Sequence, residues 1–371
     1  MRTLALAAFS AVFATTALDA ARGDVVTINT VKDSTLFESA TGAKADGGWF
    51  SFYVGRAGTN STTPIRRGLI AFDVAGAVPA GSTITNVTLK LYMSKTTSGA
   101  KPVDLYRLTT DWSEGTTTGQ SGQGGNSQPG DVTWIHTNYP NSFWTTPGGD
   151  FVSTISATQS VAGGGFYTWG STPQMVADVQ GWLDAPASSF GWLLRSVETV
   201  GQKSAKQFEA RQSTNPLWKP ALQITYTPPA PTVYCTPKVD SAGCVPSIGY
   251  SGTPDANAGS GFSITLGNTL NQKSGLLFYG THGATSAPFQ GGTMCVNPPT
   301  VRTPIQNSGG NATPPDDCSG VFALDFNVRI ASGVDPALVA GATVWSQFWS
   351  RDPVDPFTTN LSDALRFLIQ P

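Results

Sequence analysis

Apolar and polar residues alternate with a period of two in short runs along most of this chain. In TITNVTLKLYM (residues 83–93), Val87, Leu89 and Leu91 are separated by polar neighbours, the mark of a half-buried strand. RGLIAFDV (67–74), PVDLYRL (102–108), FGWLLRS (190–196) and PALQITYT (220–227) read as further strands from their β-branched and aromatic content. One segment departs from this period. In STPQMVADVQGWLDAP (171–186), Met175, Val176, Val179 and Trp182 fall at helical spacing, with Ser171 or Thr172 placed to cap and Pro186 to stop the helix. The last third returns to strands: SGFSITLGN, GLLFYG, TMCV, GVFALDFNVRI and ATVWSQFWSRD. Phe322, Leu324, Phe326 and Val328 alternate, which predicts one continuous strand. Val344, Ser346 and Phe348 share one face of the next, and Trp345 and Trp349 the other.

Breaks between these runs divide the chain. TPPAPT (227–232) is proline-rich and uncharged, so it reads as a stiff linker over residues 228–234. It separates a larger unit, 24–227, from a smaller one, 235–371. Two packed sheets are the simplest way to bury the strands of the smaller unit. The segment 115–130, GTTTGQSGQGGNSQPG, is low in complexity and predicts a long exposed loop. At the N-terminus, Met1-Arg2, an alanine-rich apolar run over 3–18 and small residues at Ala20, Ala21 and Gly23 read as a secretory signal peptide over 1–23. The run is shorter than a spanning helix needs, so no membrane span is expected.

Composition supports an exported all-β chain. Charged residues make up 12%, about half the usual share. The 41 glycines and 26 prolines are about half as many again as usual. A net charge of −2 excludes nucleic-acid binding by basic excess. Cys235, Cys244, Cys295 and Cys318 form no CxxC pair and have two histidines for company, which favours disulfides over zinc. Three connectivities are open. Cys235–Cys244 with Cys295–Cys318 is the expected one, because each bond closes a local loop.

In order, KDSTLFE (32–38), RGLIAFDV, the PAGST turn and its following strand, VDLYRLTTDWSEG (103–115), VADVQGWLDAPASSFGWLLRS (176–196) and KQFEARQ…PALQITYT resemble the DNRLRE-domain family, the module grouped as carbohydrate-binding module family 96. The resemblance runs over about residues 25–227. It implies a secreted β-jelly-roll that in some members binds acidic polysaccharide such as alginate. The fold expected is therefore all-β: an N-terminal β-jelly-roll with one short helix, then a smaller disulfide-stapled β-sandwich. One departure is visible. Where members often carry Ser-Arg-Glu, this chain has Ala210-Arg211-Gln212. The second unit is similar to a C-terminal β-domain of unassigned role on secreted bacterial proteins, through LLFYG, QGGTMCV, FWSRDP and LSDALRF.

Catalytic patterns are absent from the sequence. There is no GxSxG elbow and no phosphate-binding glycine loop, and His136 and His282 fall in different units. The expectation is a non-enzyme, secreted or at the cell surface. Its partner would be a polysaccharide, acidic by preference, because arginines pair bidentately with carboxylate or sulfate. Arg107, Arg195 and Arg211 lie in or beside predicted strands and are the candidate ligand contacts, with Trp49 and Trp112 as stacking platforms. No cofactor is required. A structural calcium is a side expectation, with Asp33 and Glu38 as its candidate ligands. The rival reading is a surface or matrix assembly protein with no sugar ligand.

Overall fold

The computed structural model describes residues 23–371 apart from 59, 60, 62, 63, 120 and 121. The expected signal peptide, but for Gly23, lies outside the described residues.

The first unit is a curled sheet folded into two layers. Its strands are β1 (Asp24–Asn29), β2 (Lys32–Phe37), β3 (Ser51–Arg56), β4 (Ile65–Ala71), β5 (Thr83–Thr96), β6 (Lys101–Leu108), β7 (Phe151–Val161), β8 (Gly165–Trp169), β9 (Trp192–Ser196), β10 (Lys206–Glu209) and β11 (Ala221–Thr227). The path across the sheet is β1-β11-β5-β10-β3-β4-β9-β6-β7, with β8 added to β5 and β2 to β4. All these pairings are antiparallel. The crossovers and the curl make a jelly-roll-like sandwich. The alternation in β5 becomes its packing: Val87, Leu89, Leu91 and Met93 are fully buried, while Thr88, Lys90 and Tyr92 are not.

Strands β4 and β9 do not alternate, because both of their faces are covered. Ile70, Trp192 and Leu194 face the main core between the layers. Leu69, Leu193 and Tyr106 face a second core, roofed by Trp112, Val132, Trp134 and Trp144 from the excursion between β6 and β7. A strand buried on both faces needs a continuous apolar run. The expected helix forms as α1 (Pro173–Asp184). Thr172 caps it, its Oγ1 accepting the Met175 N–H at 3.0 Å, and Pro173 takes its first turn. Met175, Val179 and Trp182 join the main core, with Trp182 edge-on to Trp192 at 4.6 Å.

The second unit packs two sheets. One runs β12 (Thr232–Tyr234), β21 (Thr359–Leu368), β20 (Thr343–Arg351), β15 (Ser274–Gly280) and β18 (Val301–Arg302). The other has β13 (Ser247–Ser251), β14 (Ser263–Thr269) and β19 (Gly320–Asp325). A hairpin, β16 (Ala284–Phe289) with β17 (Gly292–Val296), is strand-paired into neither sheet and packs against β20 and β21. The core between the sheets holds Ile264, Leu266, Phe322, Leu277, Tyr279, Val344 and Phe348. The second half of the expected linker is strand β12, paired with Ala364–Arg366, so residues 228–231 form the connection.

Two expectations are corrected here. The strand through 320–330 ends at Asp325, and α2 (Phe326–Ala331) follows it. Asp325 Oδ1 accepts the Asn327 N–H at 3.1 Å and the Val328 N–H at 3.4 Å, an N-cap that overrides the alternation. The disulfides are Cys235–Cys295 and Cys244–Cys318, not the local pairs. They tie β12 to the hairpin and the segment before β13 to the segment before β19. Removing the second bond as Cys244→Ser with Cys318→Ser, which opens a 74-residue loop, is expected to cost the second unit about 4 kcal/mol. Denaturant titration checks this, with loss of under about 1 kcal/mol counting against it.

Candidate functional site

The three candidate arginines do not converge. Arg107 sits opposite Trp192 in the β6–β9 register, and Arg195 opposite Asp104. Trp192, the partner of Arg107, and Arg195 lie three positions apart on β9, so the two arginine side chains take opposite faces of the sheet. Arg107 Nε reaches the buried Asp178 of α1 at 3.4 Å. That carboxylate also accepts from Trp192 Nε1 at 2.9 Å and from Ser156. Arg195 pairs with Glu198 at 3.0 Å. Glu198 is held in turn by Arg67 through two bonds of 2.8 and 3.0 Å. Each of these arginines offsets the charge of a carboxylate that the fold has taken out of water.

Arg211 belongs to a third cluster. Its Nε donates to Glu114 Oε1 at 2.6 Å and its Nη2 donates to Glu114 Oε2. Glu114 comes from the β6–β7 excursion, and it supplies the carboxylate that position 212 lacks in this chain. Gln212 adds its amide, donating to Glu114 at 3.2 Å and to the Gly47 carbonyl at 2.8 Å. Asp33 lies beneath this cluster, accepting the Arg211 backbone N–H at 2.7 Å and the Thr30 hydroxyl at 3.2 Å. Burial pushes its carboxyl up to about 7, against the lowering effect of the Arg211 N–H. Glu38 is five residues further along and accepts the Ile65 N–H. Asp33 and Glu38 therefore do not form the expected calcium site. Among the described residues no three acidic, histidine or cysteine side chains gather as a metal cluster.

The aromatic candidates separate as well. Trp112 is 3% exposed and its Nε1 donates to the Phe190 carbonyl at 3.0 Å, so it is a core residue with no free face to offer. Lys32 lies over its ring at 4.6 Å. Trp49 is half-buried against Phe50, with ring centroids 4.5 Å apart. His136 is buried, and its Nδ1 is 2.9 Å from the Thr133 hydroxyl. Burial pulls its pKa down.

A different set of residues forms a cleft of about 670 Å³ where β3, β10 and the end of β5 meet. Lys44, Tyr53, Arg66, Lys95, Gln123 and Gln207 contribute to its walls. Register brings three of them together: Gln207 of β10 lies between Tyr53 of β3 and Lys95 of β5. No carboxylate lines the cleft among the described residues. Lys95 is exposed and has no ion-pair partner among them, and Lys44 Nζ meets Asn126 Oδ1 at 3.0 Å. Arg66 is 7% exposed, and its Nε is buried without a hydrogen-bond partner among the described residues. Its guanidinium lies 5.8 Å from the Phe37 ring centroid and 5.9 Å from that of Tyr53. Burial lowers its pKa, while Tyr53 and Asp46 pull it back up. Lys206 adds charge but not a contact, because its ammonium donates to Thr96, Ser98, Gly99 and Ala162.

The segment expected to be a free loop builds one wall of this cleft. Asp131 accepts from Thr117 and from Gln128, which ties down both ends of 115–130. Gly122, at φ +74°, lies so close to Tyr53 that a Cβ there would be 2.8 Å from the ring. Glycine is what lets the segment pack there. A further aromatic surface lies three residues along β5 from Lys95. Tyr92 and Trp218 stack in parallel at 4.3 Å, and Phe166 meets Tyr92 edge-on at 4.9 Å.

The model of carbohydrate-binding module family 96 matches residues 25–146, roughly a third of the chain, in agreement with the resemblance read from the sequence. Lys44, Tyr53, Arg66, Lys95 and Gln123 all fall inside that stretch. No curated protein matches the chain. Among solved structures, the crystal structure of beta-1,2-glucanase from Parabacteroides distasonis is similar at 11% identity and a TM-score of 0.17. That alignment covers 91% of this chain and 39% of the glucanase, so the chain spans about two fifths of that structure. A likeness this low transfers neither fold nor activity.

Proposed function

We propose that the protein is a secreted, non-catalytic binder of an acidic extracellular polysaccharide, which it holds in the basic cleft. One observation carries this reading. A cleft within the family-matched unit presents Lys44, Arg66 and Lys95 with no carboxylate in its described lining, and the Arg66 Nε has no hydrogen-bond partner among the described residues, though the buried Asp46 lies near enough to act on its charge. A buried donor left unpaired costs about 1–3 kcal/mol. That Nε is shut off from solvent, so an anionic ligand would meet Arg66 through the part of its side chain that lines the cleft. Arg66 and Lys95 would take a uronate carboxylate or a sulfate, and the Gln123 and Gln207 amides the sugar hydroxyls. The Tyr92–Trp218 stack further along β5, with the exposed Phe166 beside it, would carry the C–H faces of the sugars. Two disulfides support export, and no described helix is long and apolar enough to cross a membrane.

Affinity electrophoresis in gels cast with alginate, pectin, a neutral glucan or nothing tests the reading. The mature protein is expected to be retarded in the two acidic gels, less so as salt is added, because exposed charge pairs are screened. Equal mobility in all four gels would reject it and favour the assembly role.

A further inference from the structure

A second cleft, of about 200 Å³, opens in the C-terminal unit between the β16–β17 hairpin and the strands β20, β15 and β18. Two sequence segments with no part in the basic cleft end here. QGGTMCV supplies Gln290 and Met294 to its lining and FWSRDP supplies Trp349, with Arg351 outside the lining and against the Trp349 ring. Strand register explains the arrangement. Leu276 lies opposite Trp349, and Phe278 opposite Arg302. Their neighbours Leu277, Tyr279 and Phe348 turn the other way into the main core. Large apolar side chains are thereby held on the face that the hairpin covers in part.

The composition of the cleft is that of a ligand site: apolar walls with a few convergent polar groups. Phe278, Phe289, Met294 and Trp349 make the walls, and Gln290, Thr300 and Arg302 the polar edge. Trp349 is half-buried, with its Nε1 donating to Gln290 Oε1 at 3.1 Å. The Arg351 guanidinium lies 5.3 Å from the Trp349 ring centroid. Arg302 and Arg351 are both exposed, neither has an ion-pair partner among the described residues, and no carboxylate lines the cleft. The volume is below the range of about 300–1,000 Å³ that drug-sized ligands occupy, so it fits one ring rather than a chain segment.

We propose that this cleft binds a single anionic pyranose, either a free sugar acid or the end of a glycan chain. Trp349 offers the ring on which the sugar C–H face stacks, and the two arginines hold its carboxylate or sulfate. The proposal uses none of the residues of the basic cleft and stands whether or not that cleft binds polymer.

The test is an NMR titration of the full chain with labelled tryptophan indoles, the Trp349 signal being assigned by its loss in Trp349→Phe. Lys95→Glu serves as the background, so that the basic cleft does not contribute. Glucuronic acid is expected to shift the Trp349 indole resonance saturably, and glucose at least tenfold more weakly. Arg302→Ala and Arg351→Ala should each weaken glucuronic acid about tenfold, the loss of one charge-assisted hydrogen bond. Both residues are exposed, so the thermal midpoint should stay unchanged. Tighter binding of a glucuronic acid oligomer would assign the chain end, and equal binding the free sugar. The proposal is overturned by an unmoved Trp349 signal, by equal response to glucose, or by insensitivity to both arginine variants. A shift that follows protein concentration alone would also overturn it, because a second copy would then occupy the cleft.

Discussion

Lys95→Glu is expected to abolish retardation in acidic gels, lowering affinity for alginate about a hundredfold at low salt. One charge-assisted hydrogen bond is worth about 1.5–3 kcal/mol, and the new carboxylate adds repulsion at the same spot. Lys95 is exposed and has no ion-pair partner among the described residues, so folding should not change. Arg66→Ala should also lose about tenfold, with some loss of stability, since its buried guanidinium lies against the rings of Phe37 and Tyr53. The informative contrast is Arg211→Ala. That change breaks the Glu114 fork and should destabilise the first unit, yet leave affinity intact, because Arg211 is outside the cleft. Retardation lost in Arg211→Ala but kept in Lys95→Glu would overturn the assignment of the cleft.

The contrast also separates what the sequence made legible from what it did not. Period-two alternation located β5, and helical spacing located α1, because each reports a face buried by a regular element. Residues 326–331 escaped, since their alternation continues that of β19 and the Asp325 side chain alone redirects the backbone into a helix. The arginines were visible as charges, but their faces depend on register. Arg107 and Arg195 stand on opposite sides of one sheet, Arg107 engaged by Asp178 of the distant α1 and Arg195 by Glu198 three residues on, which Arg67 of β4 also holds. The basic cleft escaped for a stronger reason. Lys44, Arg66, Lys95, Gln123 and Gln207 come from five separated segments, and no local pattern joins them. One wall is a glycine-rich stretch whose composition reads as loop. The four tethers of Asp131 and the close approach at Gly122 are tertiary facts. The disulfides failed on similar grounds: the local-loop rule ignores that strand pairing brings distant segments side by side.

The second large effect concerns Asp33. Its side chain is almost wholly buried, and desolvation raises its pKa from 3.8 to about 7, with Glu114 adding to the rise and the Arg211 and Thr30 hydrogen bonds opposing it. The sign follows from proton counts. Between about pH 4 and 7 the folded chain holds a proton on Asp33 that the unfolded chain has released, so stability falls as pH rises through that window. At 1.36 kcal/mol per unit the fall amounts to about 4 kcal/mol. Asp33→Asn removes the ionisable group while keeping an oxygen for the Arg211 N–H. Asp46, fully buried and also raised by desolvation, contributes in the same direction, and the Asp33 charge adds to its rise, so the difference between the two proteins reads Asp33 together with its coupling to Asp46. The stability of Asp33→Asn relative to the parent is therefore expected to grow by about 4 kcal/mol between pH 4 and 7.5, read by denaturant unfolding of the first unit. A difference independent of pH would mean that Asp33 is ionised throughout, with the Arg211–Glu114 cluster stabilising its charge more than burial opposes it.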